Sequence, residues 1–391
     1  MEIKKTAVVG AGTMGSSIAV ALIGSGYPVI VKDVKQEFID AGMKRIDKFL
    51  ESKVKKGLSA EDAQKQRALV ETALTYDGFR DVDLVIEAVL EEIDIKRTVF
   101  TELEKNCKRE AILATNTSSL PITQIAGCIQ SPERVIGLHF FNPAHLMKLV
   151  EVIPALQTSE QTVTSALVFA RSLGKLAVRV EECASFLVNR LLGRYMNESL
   201  WCLQEGCSVE AIDKAVCDYV MPVGPLALRD MNGADIGLAV AKFNFNEYGD
   251  RYLPPPILQS MVSANMLGQK TGRGFYLYDP ETKKRGEPNP EVAQLVGAGE
   301  CADGVDAERL FLPMINEAFL VLQEKVCAPE DLDPALMAGL GMRKGPLQLA
   351  QEMGFANCLQ KIEMLYARYG ERFRPAPLLK RYVWGGREAV M

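Results

Sequence analysis

Residues 5–33 alternate between β-rich and helical patterns. Lys5-Thr6-Ala7-Val8-Val9 is a β-rich run, Gly10 to Gly15 is a glycine turn, and an apolar helical stretch follows. A second β-run ends in Val29-Ile30-Val31-Lys32-Asp33. That order predicts a strand–helix–strand unit. Residues 34–74 are charged with helical periodicity, and a helix–helix turn is expected near Lys53–Gly57. Further β-runs fall at 83–89, 111–115, 135–139 and 149–153. Strands alternating with helices predict a mostly parallel sheet covered on both faces. From about residue 184 the β signal fades. The run 186–205 places apolar residues at helical spacing, and most of the remaining chain reads as helix and loop.

The helical half repeats itself. Asn197-Glu198 and Leu203-Gln204-Glu205 recur as Asn316-Glu317 and Leu322-Gln323-Glu324. Gly224-Pro225-Leu226 recurs as Gly345-Pro346-Leu347, and Tyr248-Gly249-Asp250-Arg251-Tyr252 as Tyr369-Gly370-Glu371-Arg372-Phe373. Offsets of 119 and then 121 fit one short insertion in a duplicated domain. Residues 279–306, rich in Gly, Pro and charge, read as the linker. The expected organisation is an α/β domain over 1–183, a helical domain over 184–282 and a degenerate second copy over 300–391.

Composition narrows the function classes. A chain of 391 residues has room for two or three domains, and 48% hydrophobic with 24% charged residues is an ordinary globular balance. A net charge of −5 provides no basic field, so nucleic acid is not an expected partner. Nine cysteines are scattered without a CxxC pair, and only two histidines are present, which argues against a zinc site. Reduced, buried thiols in a cytoplasmic protein are expected. The chain runs from Met1 straight into a strand-like segment, without the pattern of a secretory leader. No apolar stretch approaches the roughly 20 residues of a membrane span.

Gly10-Ala11-Gly12-Thr13-Met14-Gly15 is a GxGxxG between a strand and an apolar helix. In that context the first glycine permits the tight turn and the second lets a pyrophosphate approach the backbone. The third packs helix on strand and aims the helix N-terminus at the phosphates. Asp33 ends the second strand, eighteen residues after Gly15. A carboxylate there accepts bonds from ribose hydroxyls and repels a 2′-phosphate, which favours NAD over NADP. The alternative is a glycine turn in some other α/β protein. The expected fold class is therefore a Rossmann-type α/β domain followed by an all-α region of two repeated helical domains.

His139 ends a predicted strand, and Glu151 lies twelve residues on, in the next one. Oxidising an alcohol needs a base for the hydroxyl proton, and an imidazole suits that task. Glu151 could bond the other ring nitrogen and fix the tautomer. A buried, satisfied histidine and a surface glutamate are the alternatives. His145 reads as an ordinary loop residue.

Several segments match one family in order: GAGTMG, Asn116-Thr117-Ser118-Ser119-Leu120, and His139-Phe140-Phe141-Asn142-Pro143 through Glu151. Phe186-Leu187-Val188-Asn189-Arg190 and Lys270-Thr271-Gly272-Arg273-Gly274-Phe275-Tyr276 continue the match. The chain resembles the L-3-hydroxyacyl-CoA dehydrogenases over nearly its whole length. The resemblance implies oxidation of an (S)-3-hydroxyacyl-CoA with NAD⁺, as in fatty acid β-oxidation or butanoate-type metabolism. It implies His139 as general base and Glu151 as its partner. Ser118 would contact substrate oxygen and nicotinamide, and Asn189 would hold the substrate. Gly10, Gly12, Thr13, Met14, Gly15, Asp33, Glu91, Lys96 and Asn142 would bind the cofactor. Read from the residues alone, Ser118 could instead cap the helix begun by Pro121, Asn189 could be a polar helix position, and Glu91 with Lys96 could be a solvated face.

Lys53, Lys55 and Lys56 could grip coenzyme A phosphates or could form a solvated charge run. The family's coenzyme A lysine falls near Lys56. The second copy carries Glu308 at the place of Asn189 and lacks a KTGRGFY segment, so substrate is not expected there. Related single-copy subunits pair through this domain, so here the copies should pair internally, giving a monomer. With no hydratase-like domain in the sequence, a stand-alone dehydrogenase is expected. Competing readings are a non-catalytic NAD-binding relative and a β-hydroxyacid or nucleotide-sugar dehydrogenase of related fold. Enzymes of that second kind lean on a lysine or cysteine at the reaction centre.

Overall fold

A computed structural model describes residues 2–296 and 304–390. The chain divides into two compact units, Met1–Phe186 and Leu187–Met391.

The first unit is an eight-stranded sheet with helices between its strands. In chain order it holds β1 (Thr6–Val9), α1 (Thr13–Gly24), β2 (Val29–Lys32), α2 (Gln36–Lys55), α3 (Ala60–Ala68) and β3 (Val70–Ala73). Then come β4 (Leu84–Glu87), α4 (Ile93–Asn106), β5 (Ile112–Thr115), α5 (Ile122–Ala126), β6 (Val135–Phe140), β7 (Leu149–Pro154), α6 (Glu160–Ser172) and β8 (Leu176–Arg179). The strand order is β3-β2-β1-β4-β5-β6-β7-β8, so the direction of winding reverses between β1 and β4. All neighbours are parallel except β6 and β7. The central strands β1, β2, β4 and β5 are buried along their whole length. Their continuous apolar runs make them legible, as expected for strands covered on both faces.

Two edge strands escape the sequence pattern. β3 interrupts the stretch 34–74 for which the periodicity predicts helix, because Glu71 and Thr72 lie exposed on an edge and break the apolar run. β8 closes the other edge with only its two middle residues buried. The turn near Lys53–Gly57 forms as expected, with Gly57 at φ 112° between α2 and α3.

The second unit is helical and repeats one order of elements. α7 (Val188–Gln204), α8 (Val209–Tyr219), α9 (Pro225–Asn232), α10 (Ala234–Tyr248), a 3₁₀ turn at Gly249–Tyr252 and α11 (Pro256–Ser263) form the first series. A hairpin of β9 (Tyr276–Tyr278) and β10 (Arg285–Pro288), followed by α12 (Val292–Leu295), comes next. The second series is α13 (Ala307–Gln323), α14 (Pro329–Leu340), α15 (Pro346–Met353), α16 (Phe355–Tyr369), a 3₁₀ turn at Gly370–Phe373 and α17 (Pro377–Trp384). The expected linker 279–306 thus holds a strand and a short helix. Its residues 297–303 lie outside the described ones, as does the start of the expected second copy.

Matching devices recur in both series. Asp213 accepts the backbone N–H groups of Leu226 and Ala227 at the start of α9, and Asp333 does the same for Leu347 and Gln348 at α15. A glycine precedes each of those prolines because a Cβ on Gly224 or Gly345 would fall within 2.1 or 2.2 Å of the aspartate Cγ. α7 packs against α13, and buried ion pairs cross between them. Arg190 donates from Nε to Glu317 at 2.8 Å and from Nη1 to Glu324 at 2.6 Å. Arg309 donates to Glu198 at 2.7 Å and to Glu205 at 2.8 Å. Each series supplies the arginine for the other's glutamates.

Seven cysteines are free, but Cys207 is disulfide-bonded, so the expectation of reduced thiols throughout fails there. Cys301 lies outside the described residues. Among the described residues no helix is long and apolar enough to cross a membrane, and no cluster of ligand-type side chains could hold a metal ion.

Candidate active site at the carboxyl edge of the sheet

The carboxyl ends of the parallel strands gather the polar residues of the first unit. Register places Glu87, last in β4, beside Val9 of β1 and Thr115 of β5. His139 lies one residue before the end of β6.

The glycine turn leads out of β1 with Gly10 at φ 104°, where a Cβ would lie 2.5 Å from the Ala88 carbonyl oxygen. A Cβ on Gly15 would lie 1.8 Å from the Gly10 oxygen, so helix and turn need that glycine for contact. Gly12 differs: no atom of the chain lies within 4 Å of a Cβ built there. The fold does not demand a glycine at this exposed position, but a phosphate approaching the backbone would. Gly12 is also the N-cap of α1 and makes no side-chain cap bond, leaving the first-turn N–H groups near Thr13 available to an anion. Met14 packs partly on the hydrophobic core. Asp33 accepts from the backbone N–H of Ala11 at 2.7 Å, joining the end of β2 to the turn. These features fit a dinucleotide.

His139 and Glu151 are direct partners across the antiparallel β6–β7 pair. Nδ1 of His139 lies 2.6 Å from Glu151 Oε2. The histidine is 5% exposed and the glutamate 0%, so the surface-glutamate alternative does not hold. A bond at Nδ1 sets the ring's orientation and leaves Nε2 as the nitrogen for exchange. Phe141 lies against the imidazole at 4.5 Å between ring centroids, and Phe186 lies at 5.8 Å.

A second polar chain runs beneath Ser118. Buried Lys96 donates to Glu87 at 2.8 Å and faces Glu91 at 3.3 Å. Glu87 also accepts from Thr115 Oγ1 at 2.7 Å. Glu91 accepts from Thr117 Oγ1 at 2.6 Å, from the Ser118 backbone N–H at 2.8 Å and from Ser118 Oγ at 3.3 Å. Burial works against the ionised Glu91, but Lys96 and these bonds more than offset it, holding its carboxyl below the usual range. Lys96 is 1% exposed, so Glu91 and Lys96 are not a solvated face. Ser118 is not a helix cap either: α5 is capped by Pro121 without a side-chain bond. Glu87, Thr115 and Thr117 escape sequence reasoning. A glutamate ending an apolar run reads as the end of a strand, and its partner lies nine residues away on a helix.

Asn142 is exposed after β6, and Asn116, just past β5, accepts from the Phe140 N–H at 2.9 Å. His145 is more than a loop residue. Its Nδ1 meets Ser17 Oγ at 2.9 Å, and its ring lies 4.4 Å from Phe49. Burial, together with Lys53, Lys175 and Lys56, lowers its tendency to protonate. The three lysines form a cationic cluster around the imidazole, with Lys56 exposed. Asn189 lies separately, half-buried in the first turn of α7 in the second unit.

Residues 5–183 match the NAD binding domain of 3-hydroxyacyl-CoA dehydrogenase, and residues 186–278 and 304–389 match its C-terminal domain. The fatty acid oxidation complex subunit alpha of Shewanella amazonensis is 37% identical over 97% of this chain and 55% of its own length. The chain thus spans about half the length of the curated relatives it matches. The 3-hydroxybutyryl-CoA dehydrogenase of Escherichia coli is 30% identical, covers 98% of this chain and 99% of its own, and superposes with a TM-score of 0.88. FadB2 of M. tuberculosis is 39% identical with a TM-score of 0.69, and its full length covers 71% of this chain. On the match of both its domains, the chain belongs to the 3-hydroxyacyl-CoA dehydrogenase family.

Proposed function

We propose that this protein catalyses the reversible NAD-dependent oxidation of an (S)-3-hydroxyacyl-CoA to the 3-oxoacyl-CoA. The observation that carries this reading is the buried His139–Glu151 pair at the carboxyl edge of the sheet. His139 takes the proton of the C3 hydroxyl at Nε2, and Glu151 stabilises the imidazolium through Nδ1. Bound NAD⁺ supplies the hydride acceptor. Ser118 orients the substrate oxygen, with its backbone N–H and hydroxyl held by Glu91. Asn189 of the helical unit holds the substrate.

Gly10, Gly12, Thr13, Met14 and Gly15 cradle the pyrophosphate, Asp33 takes the adenosine ribose, and Asn142 and Glu91 serve the nicotinamide end. Lys96, being 1% exposed, acts through Glu91 rather than by its own ammonium. The cluster around His145 supports Lys56 as a coenzyme A phosphate contact, since Lys53 and Lys175 reinforce its field. Seven free thiols support a reducing compartment such as the cytoplasm, and the disulfide at Cys207 speaks against it.

The helical unit is a duplicated domain whose two series pair with each other, which favours a monomer. The reciprocal pairs Arg190–Glu317 and Arg309–Glu198 support this, as does a relative complete in 71% of the chain. Reduction of acetoacetyl-CoA by NADH, followed spectrophotometrically, tests the activity. Binding of NADH without any turnover would instead favour the non-catalytic reading.

A further inference from the structure

Three ionised side chains stand in line beneath Ser118, and their charges do not cancel. Glu87 is fully buried and Lys96 is 1% exposed, whereas the Glu91 side chain is 38% exposed. Glu87 Oε1 accepts from the Val89 N–H at 2.7 Å and from Lys96 Nζ at 2.8 Å. Its Oε2 accepts from Thr115 Oγ1 at 2.7 Å and from Lys96 again at 3.1 Å. Lys96 approaches Glu91 less closely, at 3.3 Å. The ammonium is thus held by both oxygens of the interior carboxylate and stands behind the exposed one. Lys96 and the bonds from Thr117 and Ser118 outweigh burial and keep Glu91 ionised. Two carboxylates share one ammonium, so one negative charge is left over, and it faces outward at Glu91.

The fold alone does not account for this arrangement. Replacing a buried ion pair by apolar residues is commonly neutral or stabilising. Lys96 by itself would neutralise Glu91 and leave the edge without net charge. Glu87 undoes that neutralisation from the interior, through a carboxylate that no ligand can touch. What it changes at the surface is the charge and not the shape.

We propose that Glu87, by taking up the charge of Lys96, keeps this edge anionic beside the nicotinamide and so biases binding towards NAD⁺ relative to NADH. This rests on the reading above that Glu91 and Ser118 serve the nicotinamide end. The oxidised ring carries a positive charge and the reduced ring carries none, while the rest of the two cofactors is the same. A fixed negative charge therefore stabilises the one and leaves the other nearly untouched. Glu87 is a positioning residue in this role, since it acts only through Lys96 and Glu91. The His139–Glu151 pair at the same edge is unaltered by the substitutions below, so it does not enter the comparison.

The test is calorimetric binding of NAD⁺ and of NADH to the full chain, read as the ratio of the two Kd values within each variant. Glu87→Gln frees Lys96 to neutralise Glu91 and should raise Kd for NAD⁺ over Kd for NADH by about tenfold. Glu91→Gln removes the same net charge from an exposed position and should raise the ratio alike, which keeps a readout even where Glu87→Gln yields no folded protein. Glu87→Asp retains the charge and should leave the ratio within about twofold of wild type. An unmoved ratio in either glutamine variant would overturn the proposal. So would a parallel weakening of both cofactors, or a ratio that Glu87→Asp moves as far as Glu87→Gln, since each marks a structural carboxylate. Wild type that binds neither cofactor would remove the cofactor reading and this proposal together. Binding of both with an unmoved ratio would remove the proposal alone.

Discussion

Buried charge is arranged differently in the two units. In the α/β unit it collects at one edge of the sheet, where His139, Glu87 and Thr115 end neighbouring strands. In the helical unit it crosses between α7 and α13, and each arginine answers the other series' glutamate. A pair at a strand end has one side towards the protein and one towards whatever binds there. A pair between two helices is closed on both sides. The first arrangement can exchange a proton with a ligand, whereas the second can only hold two elements in register. The same residue types thus serve chemistry in one place and assembly in the other, and substitutions should separate the two.

The largest expected effect lies at the sheet edge. His139→Gln should lower kcat by on the order of 10²–10⁴-fold while NADH still binds, because proton abstraction is lost and the glycine turn is untouched. Retention of more than half the wild-type kcat would remove His139 from the mechanism. Glu151→Gln should also slow turnover, since the imidazolium loses its carboxylate. An unchanged kcat would mean that Glu151 has no part in the step. Neither change should alter the pairing of α7 with α13.

Next comes Glu317→Ala, which leaves Arg194 without a carboxylate and Arg190 with Glu324 alone, and should cost about 3–5 kcal/mol of stability. Glu198→Ala should cost less, because Arg309 and Arg372 both keep Glu205. Denaturant titration measures both. No loss for either substitution would break the reciprocity on which internal pairing rests.

Much of the sheet edge was legible and much of the helical interface was not, for a physical reason. The apolar runs of β4 to β7 and the glycine turn are local signals, and strand type alone sent His139 to a strand end. Whether β7 returns antiparallel, placing Glu151 directly opposite His139, depends on pairing over distance. The same holds for Lys96, whose partner in β4 is invisible to helical spacing. The repeats were visible as matching words. That Arg190 reaches Glu317, 127 residues away, follows only from how the helices pack. Edge strands β3 and β8 were hidden because one covered face needs fewer apolar residues.

Asp33 provides a smaller test at the same sheet edge. Its carboxylate already holds the Ala11 N–H, so Asp33→Ala should both loosen the glycine turn and remove the repulsion of a 2′-phosphate. The ratio of kcat/KM for NADH over NADPH should fall by at least about tenfold. Wild type that uses both equally would set aside the preference for NAD.

The smallest expected effect belongs to Glu308, which stands in α13 at the place Asn189 holds in α7. Glu308 pairs with Lys361 of α16, and both side chains are about one-third exposed, at 35% and 33%. Exposed pairs of this kind contribute roughly 0–1 kcal/mol. Glu308→Asn restores the amide of the first series without its surroundings. Turnover should stay within about twofold of wild type, and stability should fall by no more than about 1 kcal/mol. Asn189→Glu, the reverse exchange, should instead raise KM sharply if Asn189 holds the substrate as proposed. Equal consequences from the two exchanges, in steady-state kinetics and denaturant titration, would show that the series are functionally alike and that the second also meets a ligand.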